Sequence, residues 1–192
     1  DVVLDGFAFE TKGRHPAILI EGASTNIEIR QCRFVQDRQA AAAAKVIEIQ
    51  GNRKARGFEI HHNKFEFTNA GYGIYTQGVT GLHVHHNDFL CHSVGEPVSL
   101  WNSNKSESSV HHNVFRGRVQ RTTVRLNVSG HDVDVYGNLF LLETGGARYP
   151  AIGSRGLRTT WNRIYHNIFV LYGEGPALQS SGPIEINNNS YA

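Results

Sequence analysis

Two stretches, GFEIHHNKF (57–65) and GLHVHHNDF (81–89), are near copies of one another. Looser copies follow as SSVHHNVF (108–115), VDVYGNLF (133–140), NRIYHNIF (162–169) and IEINNNSY (184–191), with IEIRQCRF (27–34) and VVLDGFAF (2–9) upstream. The shared template is apolar, any, apolar, any, any, anchor, any, aromatic. The anchors are Phe7, Cys32, Asn63, Asn87, Asn113, Asn138, Asn167 and Asn189, 22 to 31 residues apart. Between copies runs a second short motif: AILIEG, VIEIQG, GIYTQG, VSLWNS, RLNVSG, AIGSRG and ALQSSG. Most copies of it end in glycine, which suits a bend needing positive φ.

Each unit therefore carries two or three strands with period-2 alternation and no amphipathic helix. A unit this short cannot bury an apolar face alone, so its neighbours must stack. The expected fold is all-β: one single-stranded right-handed parallel β-helix of about eight coils spanning 1–192. At ~4.8 Å per coil the stack is about 35–40 Å long. Leucine-rich repeats need a denser leucine pattern, and propeller blades need about 40 residues.

Stacking turns every template position into a ladder. The anchor asparagines are expected to hydrogen-bond along the stack and to satisfy the backbone at a tight bend, a structural role. The aromatic position forms an internal ring stack. Because the apolar positions face inward, the residues between them face out. His61, His85 and His111 then share one outward ladder, Glu28, Glu59 and His83 lie in another, and His62, His86 and His112 sit at the bend. At ~4.8 Å spacing these imidazoles can stack, meet a sugar, or approach a metal together with His83 or Glu59. Stacking is the expectation, because ladders of like residues are ordinary in such a fold. Protonation below about pH 6 should then loosen the stack.

The second motif supplies the other outward face. One ladder is expected to hold Leu19, Glu48, Tyr75, Ser99, Asn127, Gly153 and Gln179. Its partner holds Glu21, Gln50, Gln77, Trp101, Ser129, Arg155 and Ser181, with Arg125 two residues ahead of this register. Tyr75, Gln77, Trp101, Asn127, Arg125 and Arg155 form a strip of rings, amides and guanidiniums. Aromatic faces stack on sugar C–H faces, while amides and arginines hold hydroxyls and carboxylates. A long flat strip suits a polymer better than a small molecule.

Composition removes several alternatives. The formal charge of +2 is nearly balanced and offers no patch for nucleic acid. Apolar runs are too short to span a membrane. One disulfide between Cys32 and Cys91 is possible, but Cys32 falls at an inward anchor position, so a buried free thiol is expected. QAAAAAK (39–45) favours a corner helical turn. Both ends fall within coil motifs, so the native polypeptide is expected to extend beyond residues 1 and 192, or end-to-end and oligomeric contacts to cover the open coils.

The layout resembles the pectate-lyase-like β-helix superfamily across the chain. Residues 96–171 are similar to polysaccharide lyase family 6, the alginate lyase and chondroitinase B group. EPVSLWNSNKSESSVHHNVF parallels that family's E-I-I-S-x-K-S segment and the N-x-F coil after it. TTVRLNVSGHDVDVYGNLFL parallels its L-T-L-R-H-G-N coil, and ETGGARYPAIG its G-G-I-R-x-x-G. The resemblance implies an extracellular or periplasmic protein acting on an acidic polysaccharide by β-elimination. It implies a calcium ion that neutralises the uronate carboxylate and so acidifies its α-proton. Residue by residue, Glu96 falls on a calcium-ligand glutamate and Arg125 on the catalytic arginine. Trp101 stands where the family has its lysine, and Val94 where it has a second acidic ligand; Lys105, four residues on, is a possible substitute. On this reading Arg125 and Tyr75 transfer protons, Arg155 binds a carboxylate, and Trp101, Gln77 and Asn127 contact sugar. The competing reading is a non-catalytic stalk, adhesin or phage tailspike segment.

Overall fold

A computed structural model describes the chain except residues 14, 37–43, 69–70, 102–106, 128–132, 145–148 and 156–161. The side chains of 53, 93, 94, 127 and 155 are likewise left undescribed. The alanine run and Lys105 fall largely or wholly outside the described residues. Among those described there is no helix, and the strand pairings are parallel. They build a 13-stranded and an 8-stranded sheet. The result is a parallel β-solenoid of about six turns, fewer than the eight coils expected from the repeat copies. The eight copies do mark eight stacked strands, from Ala8–Thr11 to Ser190–Tyr191. The terminal strands are thinly covered: Val2, Val3, Phe7, Ile186 and Tyr191 stay exposed.

Two ladders hold the interior. Phe9, Phe34, Phe65, Phe89, Phe115, Phe140, Phe169 and Tyr191 stack with centroids 4.7 to 5.3 Å apart and planes within 11°. The inter-strand spacing imposes this distance, and burial of each central ring contributes about 1.5–3 kcal/mol. Beside them runs the asparagine ladder. The side-chain oxygen of Asn113 accepts both the backbone N–H and the Nδ2–H of Asn87, at 3.0 Å each. Its own Nδ2 donates to the Val84 carbonyl at 2.8 Å and to Asn138 Oδ1 at 3.0 Å. The same pattern links Asn63 to Asn87, Asn138 to Asn167 and Asn167 to Asn189. Asn63 Oδ1 also caps the Cys32 N–H at 2.9 Å. An amide suits this place because it both donates and accepts, and so satisfies buried backbone groups on two coils.

The residue before each anchor is left-handed: Gln31, His62, His86, His112, His166 and Asn188 have φ of 49–55°, and Gly6 and Gly137 have φ of 73° and 62°. Histidine and asparagine tolerate this region better than most side chains. The expectation that the second motif's glycines supply positive φ holds at Gly22 and Gly78. It fails at Gly51, which continues the strand Lys45–His61. Both cysteines are buried free thiols, and burial pushes their acidity down.

Candidate functional site

The polar strip lies along one row of stacked strands: Lys45–His61, Tyr72–His85, Glu96–Trp101, Val124–Asn127 and Ile152–Arg155. Strand pairing corrects the expected register. Arg125, not Asn127, lies beside Ser99, so the first column runs Leu19, Glu48, Tyr75, Ser99, Arg125, Gly153, Gln179. Asn127 joins the second column, beside Trp101 and Arg155, and Gln77 pairs with Trp101 from the other side. The cause is the core: burying Val124 and Leu126 opposite Val98 and Leu100 sets the pairing, whereas a match on the closing glycine slips it by two residues. Ser129 lies outside the described residues.

The slip brings Arg125 into a network that sequence reasoning missed. Glu96 is fully buried, and its Oε1 forms an ion pair with Arg125 Nη1. Ser99 Oγ donates to Glu96 Oε2 at 2.8 Å and accepts from Trp101 Nε1 at 3.0 Å. The indole, the hydroxyl, the carboxylate and the guanidinium are thus tied in one chain, with Arg125 Cζ 6.0 Å from the Trp101 ring centroid. The signal that could have found it is Ser99, a small hydroxyl in a column whose neighbouring rungs are large.

Tyr75 extends the strip. Its ring is 6.3 Å from Trp101 and meets Tyr72 edge-on at 5.2 Å, with Lys45 Nζ 4.3 Å from its centroid. Lys45 also pairs with Glu48 at 2.5 Å, and Gln50 Nε2 donates to the same Glu48 oxygen at 2.7 Å. Burial, followed by the charges of Tyr72, Glu48 and Glu96, raises the Tyr75 phenol above its ordinary value. Tyr75 therefore remains a proton donor at neutral pH and is ill suited to be a base.

Next to Arg125 the surface forms a hollow of about 250 Å³, lined among others by Thr122, Arg125, Tyr149, Gly153, Gln179 and Ser181. Gly153 keeps it open: a Cβ there would lie 3.0 Å from Thr122 Cγ2 and 3.2 Å from Pro150 Cγ. The hollow is smaller than a typical small-molecule pocket and fits about one ring of a longer chain.

The donor set around Glu96 does not fit calcium. Both carboxylate oxygens are engaged, by Arg125 and by Ser99, whereas calcium takes six to eight oxygens. Among the described residues no three His, Cys, Asp or Glu side chains converge on one metal position.

The histidines occupy a different row. His61, His85, His111 and Tyr136 stack at 4.7 to 4.9 Å, and His62, His86 and His112 at 5.0 to 5.2 Å. Stacking is therefore observed. Cross-bonds join the columns: Nδ1 to Nδ1 is 2.8 Å for His61–His62 and 2.9 Å for His85–His86 and His111–His112. His61 Nε2 lies 2.9 Å from Glu28 Oε1 and His85 Nε2 lies 3.1 Å from Glu59 Oε2.

Burial, with the neighbouring imidazoles, lowers the proton affinity of His86 and His111, the latter to about 4. Burial likewise lowers that of His85, against the pull of Glu59. Between roughly pH 6.5 and 4 the unfolded chain binds more protons than the folded one. The stabilisation is complete above about 6.5 and is lost as pH falls toward 4. After allowance for partial exposure, acidification from pH 7.5 to 5 should cost about 1–2 kcal/mol, or roughly 2–8 °C in Tm. His111→Tyr, which copies the Tyr136 rung, should flatten the dependence. Equal melting temperatures for the native chain at both pH values would rule this out.

Fold and surface together define a parallel β-solenoid with a polar, aromatic strip along one face and a histidine ladder along another. Comparison with known protein families, with curated proteins and with solved structures gives no match.

Proposed function

We propose that the strip binds an extended acidic polysaccharide, with a uronate unit seated at the Arg125 hollow and neighbouring sugars against Trp101 and Tyr75. The observation that carries this reading is the Trp101–Ser99–Glu96–Arg125 chain. It holds a ring and a guanidinium in fixed relation beside a hydroxyl-lined hollow of one-sugar size. A pre-set platform and cation reduce the ordering cost of binding a flexible polymer. Gln77, and Asn127 and Arg155 by their register, extend the same face. Such a ligand places the protein outside the cell or in a periplasm.

Binding is favoured over β-elimination by one distance. Tyr75 and Arg125 are two strands apart in their column, about 9.6 Å between backbones. Proton abstraction and leaving-group protonation occur on adjacent atoms of one sugar, so these two residues serve different sugars more readily than one reaction. The protein on this reading is a binding segment of the stalk, adhesin or tailspike kind; a uronan lyase remains the second reading, through Arg125 at the hollow.

Calorimetric titration with alginate, pectate and chondroitin sulfate oligosaccharides tests the proposal. We expect binding to one of them, and Trp101→Ala to weaken it about tenfold or more with its fold checked by melting. Absence of binding to all three would overturn it. Ultraviolet detection of unsaturated uronates in the same mixtures decides between binding and lyase activity.

A further inference from the structure

We propose that the strip takes a polysaccharide whose uronates are spaced apart by neutral sugars, and that Arg121, at the rim of the hollow, is the cation that holds the carboxylate. This ligand is a narrower form of the acidic polysaccharide proposed for the same face, and rests on that proposal. The charges along the strip point to it. Lys45 is paired with Glu48 and Arg125 with Glu96, and both carboxylates are buried. Each pair sums to zero, so neither cation brings net positive charge to a ligand. Between the two pairs stand the neutral groups Tyr75, Gln77, Ser99 and Trp101. Burial comes first among the causes that raise the Tyr75 phenol, but Glu48 and Glu96 act in the same direction, as negative charges do. A carboxylate seated over Tyr75 or Trp101 would therefore leave water without a counter-charge.

The hollow differs. None of its described lining residues is acidic, and Thr122 and Tyr149 are among them. Arg121 stands next to both. It precedes Thr122 in the chain. Val124 lies beside Ile152, and its N–H donates to the Ala151 carbonyl at 2.9 Å; counted back in that register, Arg121 falls on the rung of Tyr149. Arg121 is exposed at the corner between the strands Val114–Val119 and Val124–Asn127. Arg30, Arg33, Arg116, Arg118, Arg125 and Arg163 each pair with a carboxylate, whereas among the described residues Arg121 pairs with none. The acid nearest to it by register is Glu96, abreast of Thr122, and Arg125 already holds it.

A guanidinium without a counter-ion offers its whole fork to a carboxylate. Arg125 lines the hollow with one nitrogen already given to Glu96. With the uronate in the hollow, sugars one strand spacing apart, about 4.8 Å, fall on Trp101 and then Tyr75. Those rungs take neutral rings by stacking. A homopolymer of uronates puts a carboxylate on every rung. A polymer with isolated uronates puts it at the hollow alone.

The test is calorimetric titration of the whole chain. Gellan oligosaccharides, whose repeat holds a single glucuronate among neutral sugars, are compared with alginate and pectate oligosaccharides of equal length. The gellan fragments should bind at least about tenfold more tightly. Carboxyl-reduced gellan fragments should bind the native chain about tenfold more weakly than intact ones. In Arg121→Gln that difference should vanish, and in Arg121→Lys part of it should remain. Both variants alter an exposed side chain and should melt like the native chain. Alginate or pectate binding as tightly as gellan would overturn the spacing of the charges. Unchanged affinity of Arg121→Gln for intact gellan fragments would overturn the role of Arg121. Either result leaves the carbohydrate proposal standing, whereas no binding to any of these oligosaccharides would overturn both.

Discussion

Asn113→Ala is expected to destabilise the solenoid by about 3–5 kcal/mol, whereas Asn189→Ala at the end of the same ladder costs under about 1.5 kcal/mol. The difference follows from what each side chain leaves behind. Removing the Asn113 amide takes away the acceptor of the Asn87 backbone N–H. It also takes away the donor to the Val84 carbonyl. Both groups lie in the interior, where Asn87 is 2% exposed and Val84 fully buried. An unmatched buried donor or acceptor costs about 1–3 kcal/mol each, so two of them account for the estimate. Asn189 also caps a backbone N–H, that of Asn167, but it is only half-buried and water can replace it. Urea denaturation of the two variants measures the contrast. Equal losses at the two positions would mean that the ladder is not a buried hydrogen-bond network.

Arg125→Ala is the second large effect, at about 3–5 kcal/mol, because it strands a fully buried glutamate without its counter-charge. Glu96→Gln should cost less, since an amide still accepts from Ser99 and leaves only the partly exposed arginine unpaired. The double variant Glu96→Gln/Arg125→Ala should then be more stable than Arg125→Ala alone. The coupling between the two sites should exceed about 1 kcal/mol. Simple additivity would show that the pair is solvated and weak. The same series separates stability from binding: Glu96→Gln retains Arg125 and so should retain carbohydrate affinity better than Arg125→Ala does.

The repeat made the strand order, the phenylalanine stack and the asparagine ladder legible, because parity and spacing are local properties of the chain. It also sent His61, His85 and His111 outward, where they are found stacked. The register of Arg125 was not legible. A slip of two residues leaves every inward residue inward, so alternation cannot detect it. Only the hydrogen-bonded pairing of Val124 with Val98 places Arg125 beside Ser99. The fate of Glu96 was hidden for a related reason. Its chain position matched a metal-ligand pattern, but its oxygens are taken by residues 3 and 29 positions away.

By itself, then, the sequence determined a stack of parallel coils and which residue types recur on each rung, since a short amphipathic unit repeated at this period can bury its apolar positions only against copies of itself. Tertiary structure decided which polar side chains are already engaged with one another. Arg125 with Glu96, His61 with Glu28, and His85 with Glu59 meet across neighbouring coils. Whether a carboxylate is free to take a ligand or is held by its neighbour depends on strand register and side-chain direction, and both are set only when the coils pack.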